Sequence, residues 1–378
     1  MILSSDHEMV RDAVRDYAQA EIMPHAAAWD RESIFPKDAL KGLADLGCFG
    51  VTVPEHLGGA GLDTLALSLI LEEIAAADGA TSTIISVNNC PVCSIFEHFA
   101  NDAQKDQWLK PLASGQMLGA FALTEPGVGS DAGRLTTRAD LKGEHYVLNG
   151  VKQFITSGKN GDVTIVLAVT DKAAGKRGIS AFIVPTNTPG YRVARLEEKL
   201  GQHASDTAQI AFEDCIVPAS NMIGEPGAGY KIALSGLEGG RIGIASQALG
   251  MARAAFDAAL AYAYERESFG VKLFEHQALQ FRLADLATQI EVARQMIWHA
   301  AALRDAKRPC LKEAAMAKLF ASEMAERVCS ESLQIFGGYG YVNDFPVERI
   351  YRDVRVCQIY EGTSDIQKIL IGRALRPH

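Results

Sequence analysis

No stretch of the sequence approaches the ~20 consecutive apolar residues that a membrane-spanning helix needs. The N-terminus, MILSSDHEMVRDAVRDYAQ, lacks a cationic start followed by an apolar core. No secretory leader is visible, and residues 1–20 read as the first helix of the fold. Basic residues do not dominate. With 37 Lys and Arg against 46 Asp and Glu, the net charge of −9 argues against a protein built mainly to bind nucleic acid or an anionic membrane. There is no internal repeat and no low-complexity tract. The seven cysteines are an odd number, and only Cys90 and Cys93 form a Cys-x-x-Cys. A structural zinc site wants a second pair. A thioredoxin-like site wants a βαβ frame, but the flanks TSTIISV and SIFEHFA look helical and apolar. The thiols therefore read as buried and reduced, which fits a cytoplasmic protein.

What is present is a globular composition, 48% hydrophobic and 22% charged, over 378 residues, enough for two or three domains. Residues 1–118 read as helical. SSDHEMVRDAVRDYAQAEIMPHA has helical apolar spacing with Pro24 near its end, and LDTLALSLILEEIAAADGA is a second helix stopped by Gly79. The texture changes at residue 119. HYVLNGVKQFIT alternates and carries a hairpin signal at Asn149-Gly150, and DVTIVLAVTD and ISAFIVPT are β-rich runs. Residues 119–225 are expected to form a small β domain. From 226 to 378 the pattern is helical. Leu279, Leu283, Leu286, Ile290, Ala293 and Ile297 step by four and three, as in an antiparallel bundle. The fold class is α+β: an N-terminal helical domain, a central small β domain and a C-terminal antiparallel helix bundle.

Five stretches have chemical potential. FALTEPGVGSDAG contains Gly127-x-Gly129-x-x-Ala132, a relaxed dinucleotide fingerprint, but no strand–turn–helix context surrounds it. What remains is a glycine-rich loop with Thr124 and Ser130 and free backbone N–H groups, suited to a polar cofactor edge or equally to an ordinary turn. KQFITSG ends a strand with Phe154 and Thr156 on one face, a flat apolar surface beside a hydroxyl. In LEGGRIGIASQALG, Arg241 is a lone cation heading an apolar helix; an intraprotein acid or a ligand phosphate is its partner. RESFGVKLFEHQ offers Arg266 and Gln277. QIFGGYGYVNDFPVERIYRD offers Gln334 and glycines that let a backbone come close to a ligand.

Taken in order, ALTEPGVGSDAG, GRIGIASQALGMA and QIFGGYGY…FPVERIYRDVRVCQIYEGTSDIQ resemble the acyl-CoA dehydrogenase family over essentially the whole chain, and the middle motif looks most like the short-chain (butyryl-CoA) branch. The resemblance implies FAD as cofactor and an acyl-CoA thioester as substrate, oxidised to the trans-2-enoyl-CoA. It implies that Phe121, Ala122, Leu123, Thr124, Gly129 and Ser130, with Phe154, Ile155 and Thr156, hold the flavin. By the same resemblance, Arg266, Gln277, Gln334, Ile335, Phe336, Gly337 and Gly338 meet the pyrophosphate and adenosine, several of them across a subunit boundary. Thr363, Ser364 and Asp365 would contact the cofactor as well. Ser130, Glu238, Gly239, Gly240, Arg241 and Gly362 would contact the CoA ester. The position of Phe154 often carries Trp in relatives. An electron-transfer flavoprotein as electron acceptor and a homotetramer are implied too.

Glu361, in QIYEGTSDIQ, is the expected base. In a minority branch resembling isovaleryl-CoA dehydrogenase the base sits on an earlier helix, at a position that looks like Gly240 here. The α-C–H of a thioester is a very weak acid, so the carboxylate needs a dry pocket to raise its pKa and a stabilised enolate. The local pattern also reads as a helix start, with Ser364 and Gln367 as a capping box. Three alternatives stand beside this: an O2-using oxidase on the same scaffold, a branched or aryl-propionyl substrate, and a non-catalytic flavin-binding homologue.

Overall fold

The computed structural model describes residues 2–376. The first segment is helical: α1 (Ser5–Tyr17), α2 (Met23–Glu32), α3 (Lys37–Asp45), α4 (Thr64–Ala77), α5 (Gly79–Val87), α6 (Ser94–Phe99) and the short α7 (Asp102–Gln104) and α8 (Lys110–Ala113). Two local expectations change. Pro24 does not end the first helix. It opens α2 after a π-helical stretch, Ala18–Ile22, at a position where a missing N–H is tolerated. Gly79 does not stop α4 as a C-cap; the helix ends at Asp78, whose carboxylate accepts from the Thr81 N–H at 2.8 Å and so caps α5. Gly79 is glycine because any Cβ there would lie 2.6 Å from Met251 Sδ.

The central segment is one sheet. It is built from β1 (Gly119–Ala122), β2 (Arg138–Lys142), β3 (His145–Thr156), β4 (Val163–Val169), β5 (Ile179–Pro185), β6 (Tyr191–Leu196), β7 (Thr207–Pro218) and β8 (Met222–Ile223). The order is β6-β7-β3-β2-β4-β5-β8, with β1 parallel to β4. Asn149-Gly150 is not the hairpin turn; the reversal between β2 and β3 is at Gly143 and Glu144. Asn149 and Gly150 form a bulge inside β3, where the register against β7 shifts. The Asn149 side chain exchanges hydrogen bonds with Asp214, and a Cβ on Gly150 would lie 2.5 Å from Thr137 Oγ1. A two-residue signal thus served strand pairing instead of reversal.

The last segment holds α9 (Gly229–Glu265), a two-strand ribbon β9 (Glu267–Ser268) and β10 (Val271–Lys272), α10 (Gln277–Asp305), α11 (Leu311–Phe336), α12 (Val347–Val354) and α13 (Ser364–Ala374). Leu283, Leu286, Ile290, Ala293 and Ile297 are buried as the spacing predicts, and Leu279 packs half-buried at the end of the stripe. Each such Leu or Ile contributes about 1.5–3 kcal/mol on burial. α9 begins at Gly229, so Arg241 lies inside the helix and does not head it.

Charged clusters tie the segments together. Glu73 on α4 accepts from Arg15 on α1 at 2.8 Å and from Arg253 on α9 at 2.6 Å, while Glu72 receives Arg294 of α10 at 3.0 Å. The connection from β6 to β7 docks onto the helices. Gln202 N–H donates to the Asp353 carboxylate, and Gln202 Oε1 accepts from Thr83 at 2.6 Å. Among the described residues no helix is long and apolar enough to cross a membrane, and no group of three or more His, Cys, Asp or Glu is placed to hold a metal ion. All seven cysteines are buried and unpaired. Burial pushes the Cys90 thiol up to about 11, which removes it from thiolate chemistry at neutral pH.

Candidate active site

A cleft of about 250 Å³ opens where the sheet meets α5, α9 and the turn before α13. One wall is the sheet: Phe121 and Leu123 from the end of β1, Thr124, Gly129 and Ser130 from the following loop, and Phe154, Ile155 and Thr156 from the end of β3. The other is helical: Thr83, Val87 and Pro91, then Leu234, Leu237, Arg241 and Ile244 along one face of α9, and finally Tyr360, Glu361 and Gly362. The regular-pleat argument for Phe154 and Thr156 needs amending. A second register shift falls between Lys152 and Ile155, and Phe154 takes a φ of 58°, so Ile155 reaches the cleft beside them. The Phe154 ring is 62% exposed, an apolar plate with nothing covering it.

The glycine-rich loop is held open by a buried ion pair that sequence reasoning passed over. Lys152 Nζ donates to Glu125 Oε1 and to the Leu123 carbonyl, both at 2.9 Å. Glu125 also accepts from the Thr136 N–H at 2.7 Å, the Thr136 hydroxyl at 2.6 Å and the Thr137 N–H at 3.0 Å. Burial pushes the Glu125 carboxyl up, but Lys152 and these donors outweigh it and hold it at about 2. The loop therefore has a permanently ionised strut, and no Cβ at Gly127 or Gly129 would meet another atom within 4 Å.

Glu361 is built differently. It has a φ of 55°, and Gly362 follows at 91°, so two consecutive left-handed residues turn the chain sharply before α13. The turn lays the carboxylate against α9. A Cβ at Gly240 would lie 2.8 Å from Glu361 Oε2. Gly240 is thus the seat of the acid and does not line the cleft. Oε2 is buried without a hydrogen-bond partner among the described residues, and so is Arg241 Nε. Burial pushes the Glu361 carboxyl up to about 7, against the opposing pull of Arg241 and Lys318. Tyr360 donates to Gln247 Oε1 at 2.6 Å, and Gln247 in turn donates to Thr83, so a polar brace ties together Thr83 and Tyr360, both of which line the cleft.

The other expected residues fall into three groups. Ala122 is buried in the sheet core, and Glu238 and Gly239 turn from the cleft: Glu238 meets Cys310 at 3.5 Å, and a Cβ on Gly239 would meet Cys90. Thr363, Ser364 and Asp365 start α13. The cap is Thr363, whose hydroxyl accepts from Ile366 at 3.4 Å, so the Ser364–Gln367 capping box does not form. The Gln367 amide is instead committed to the carbonyls of Glu361 and Gly362. Arg266, Ile335, Phe336, Gly337 and Gly338 come together in a separate groove of about 480 Å³ that shares no lining residue with the cleft. Gln277 and Gln334 are exposed and are not among the residues that line it. Beside it, at the tip of the β9–β10 ribbon, Phe269 is 96% exposed with a φ of 54°; sequence reasoning missed it, though an aromatic before Gly270 was its signal.

A larger groove of about 1100 Å³ lies between α1, α2 and residues 341–352. Three of its acids are paired, Glu73 with Arg15 and Arg253, and Asp30 and Glu348 with Arg352, while burial raises the Asp257 carboxyl. Among the described residues it has no carboxylate oxygen that is buried and unpartnered like Glu361 Oε2. The cleft also fits a flat, polar-edged cofactor, because an exposed aromatic plate, the Thr124, Ser130 and Thr156 hydroxyls and an open glycine loop face its interior.

Comparison with known proteins agrees along the chain. Family models for the N-terminal, middle and C-terminal domains of acyl-CoA dehydrogenase match residues 4–116, 120–215 and 227–376. The chain is 49% identical to the mitochondrial short-chain specific acyl-CoA dehydrogenase of Mus musculus over 377 residues, covering 100% of this chain and 92% of that protein. The solved butyryl-CoA dehydrogenase of Megasphaera elsdenii superposes with a TM-score of 0.96 at 40% identity, covering 99% of both chains. A chain in a structure described as the electron transferring flavoprotein of Acidaminococcus fermentans, aimed at flavin-based electron bifurcation, superposes with a TM-score of 0.98 at 44% identity over 100% of both.

Proposed function

The chain belongs to the acyl-CoA dehydrogenase family, and from that premise we propose that it oxidises a short-chain acyl-CoA to the trans-2-enoyl-CoA with Glu361 as the base. One observation carries the reading: an acid that lines the cleft has a carboxylate oxygen that is buried and unpartnered among the described residues, and burial pushes that acid up to about 7. An acid with that value is largely ionised just above neutrality and basic enough to take a proton from carbon when the developing enolate is stabilised. FAD is the family's cofactor, and when bound it supplies the acceptor for the β-hydride.

The chain's own residues provide the rest. Phe121, Leu123, Phe154 and Ile155 offer the apolar surface, and Thr124, Ser130 and Thr156 the hydroxyls, for the flavin. Backbone N–H groups near Glu361 are the donors proposed for the thioester oxygen. Val87, Leu234, Leu237 and Ile244 exclude water from the acid. Thr83 and Tyr360, both lining the cleft and tied through Gln247, support a short acyl chain as the substrate. The groove at Arg266 and Gly337–Gly338 supports the adenosine role from a neighbouring subunit, since it stands apart from the cleft. Exposed Phe269 on the β9–β10 ribbon and Phe281 and Val292 on α10 support a homotetramer. We divide the chain at 1–118, 119–225 and 226–378, take an electron-transfer flavoprotein as electron acceptor, and place the protein in the cytoplasm, where seven unpaired thiols stay reduced.

The test is turnover of a C4-to-C16 acyl-CoA series with an artificial electron acceptor, in wild type and Glu361→Gln. Highest kcat/KM at the short end, lost in the variant while FAD stays bound, supports the reading. Full activity with O2 alone makes it an oxidase, and bound flavin that no acyl-CoA reduces makes it a non-catalytic homologue.

A further inference from the structure

Lys318, on α11, is fully buried, yet the sequence gives it no role. A buried ammonium is stable only where acceptors and charge compensate its lost hydration. Nζ donates to the carbonyl of Gly362 at 2.8 Å. That carbonyl belongs to the left-handed turn that delivers Glu361, and Gln367 of α13 donates to the same oxygen at 2.8 Å and to the Glu361 carbonyl at 3.2 Å. Two consecutive residues with positive φ, one of them not glycine, are unfavourable unless the surroundings fix them. Here a helix on each side does so.

We propose that Lys318 is a positioning residue for the base: it pins the Glu361–Gly362 turn through the Gly362 carbonyl and keeps a positive charge near the carboxylate that has no hydrogen-bonding partner. The inference rests on Glu361 being the base. The groups acting on this pair are Arg241 from α9, Cys357 from the turn after α12, Cys90 from the segment before α6, and Glu323 on α11 itself. Cys357 and Cys90 are neutral thiols, pushed up by burial to about 12 and about 11, so Arg241 and Lys318 are the cations that act on Glu361. Burial lowers Lys318 itself to about 8, which leaves it charged at neutral pH. Removing its charge lets burial push Glu361 higher still, so the acidic limb of activity moves up in pH.

Two substitutions separate its functions. Lys318→Gln keeps an N–H for Gly362 without the charge, and Lys318→Met loses both. For Lys318→Gln the acidic limb of kcat/KM moves up by about one pH unit, with kcat on the plateau near wild type. For Lys318→Met the same shift is joined by a kcat loss of about 10- to 100-fold, while KM and FAD content change little. Infrared titration of the buried carboxyl in the substrate-free protein, with Glu361→Gln as the blank, shows the same upward move without any turnover. If Lys318→Met does not fold, the Lys318→Gln limb and infrared titration still decide. Wild-type limbs and infrared titrations in every variant that folds overturn the proposal. An active Glu361→Gln protein overturns instead the reading on which it rests.

Discussion

Two glutamates, Glu125 in the glycine-rich loop of the cleft and Glu361 on its opposite wall, behave in opposite ways. Glu125 accepts from Lys152, from both the N–H and the hydroxyl of Thr136, and from the Thr137 N–H, and it is held at about 2. Glu361 has one buried oxygen with no partner among the described residues, and burial pushes the acid up to about 7. The residue type is the same; Glu125 is buried throughout, and Glu361 has a buried Oε2. What separates the strut from the proposed base is the number of donors each one receives.

Exchanging those roles should fail in graded steps. Glu361→Gln keeps the shape and removes the base, so kcat should fall by several powers of ten while FAD remains bound, measured by stopped-flow reduction of the flavin. The wild type shows the matching pH signature: Glu361 must be ionised, so kcat/KM rises as pH increases through about 7, and an acidic limb near 4.5 would sink the assignment. Glu125→Gln leaves Lys152 buried without its counter-ion and should cost about 3–5 kcal/mol in stability, read by denaturant unfolding, with looser flavin binding. Because the folded pKa of Glu125 is depressed, its stabilisation is present in full above the ordinary carboxylate range and fades as pH falls toward about 2. Gly240→Ala puts a carbon 2.8 Å from Glu361 Oε2 and should lower kcat about 100-fold with little change in melting temperature. Tyr360→Phe removes one hydrogen bond to Gln247 and should cost only about 0.5–1.5 kcal/mol, with a modest gain on longer acyl chains.

The order of segments and the apolar stripe of α10 were legible because burial periodicity is local. Glu361 was singled out by its motif, and its role as base is the proposal made above. The strut was not, because Glu125 and Lys152 lie 27 positions apart and meet only when β3 closes beside the loop. Lys318 had a faint local signal, a cation in the stripe Ala314, Ala321, Ala325, but its acceptor is on a turn 44 positions away. Asn149-Gly150, Gly79 and Ser364 misled for a common reason. Each fits a turn or cap by its own chemistry, and each was claimed by a tertiary neighbour or a stronger adjacent group: Thr137 and Asp214, Met251, and Thr363.

The missing side chain at Gly240 also has a consequence for how such a chain can change over generations. The space its Cβ would fill is already taken by the carboxylate of Glu361, so positions 240 and 361 share one vacancy. A chain with acids at both would be overfilled and self-repelling, and a chain with glycine at both would have no base. If Glu361 is the base, moving it from this turn to α9 takes two substitutions with an inactive sequence between them.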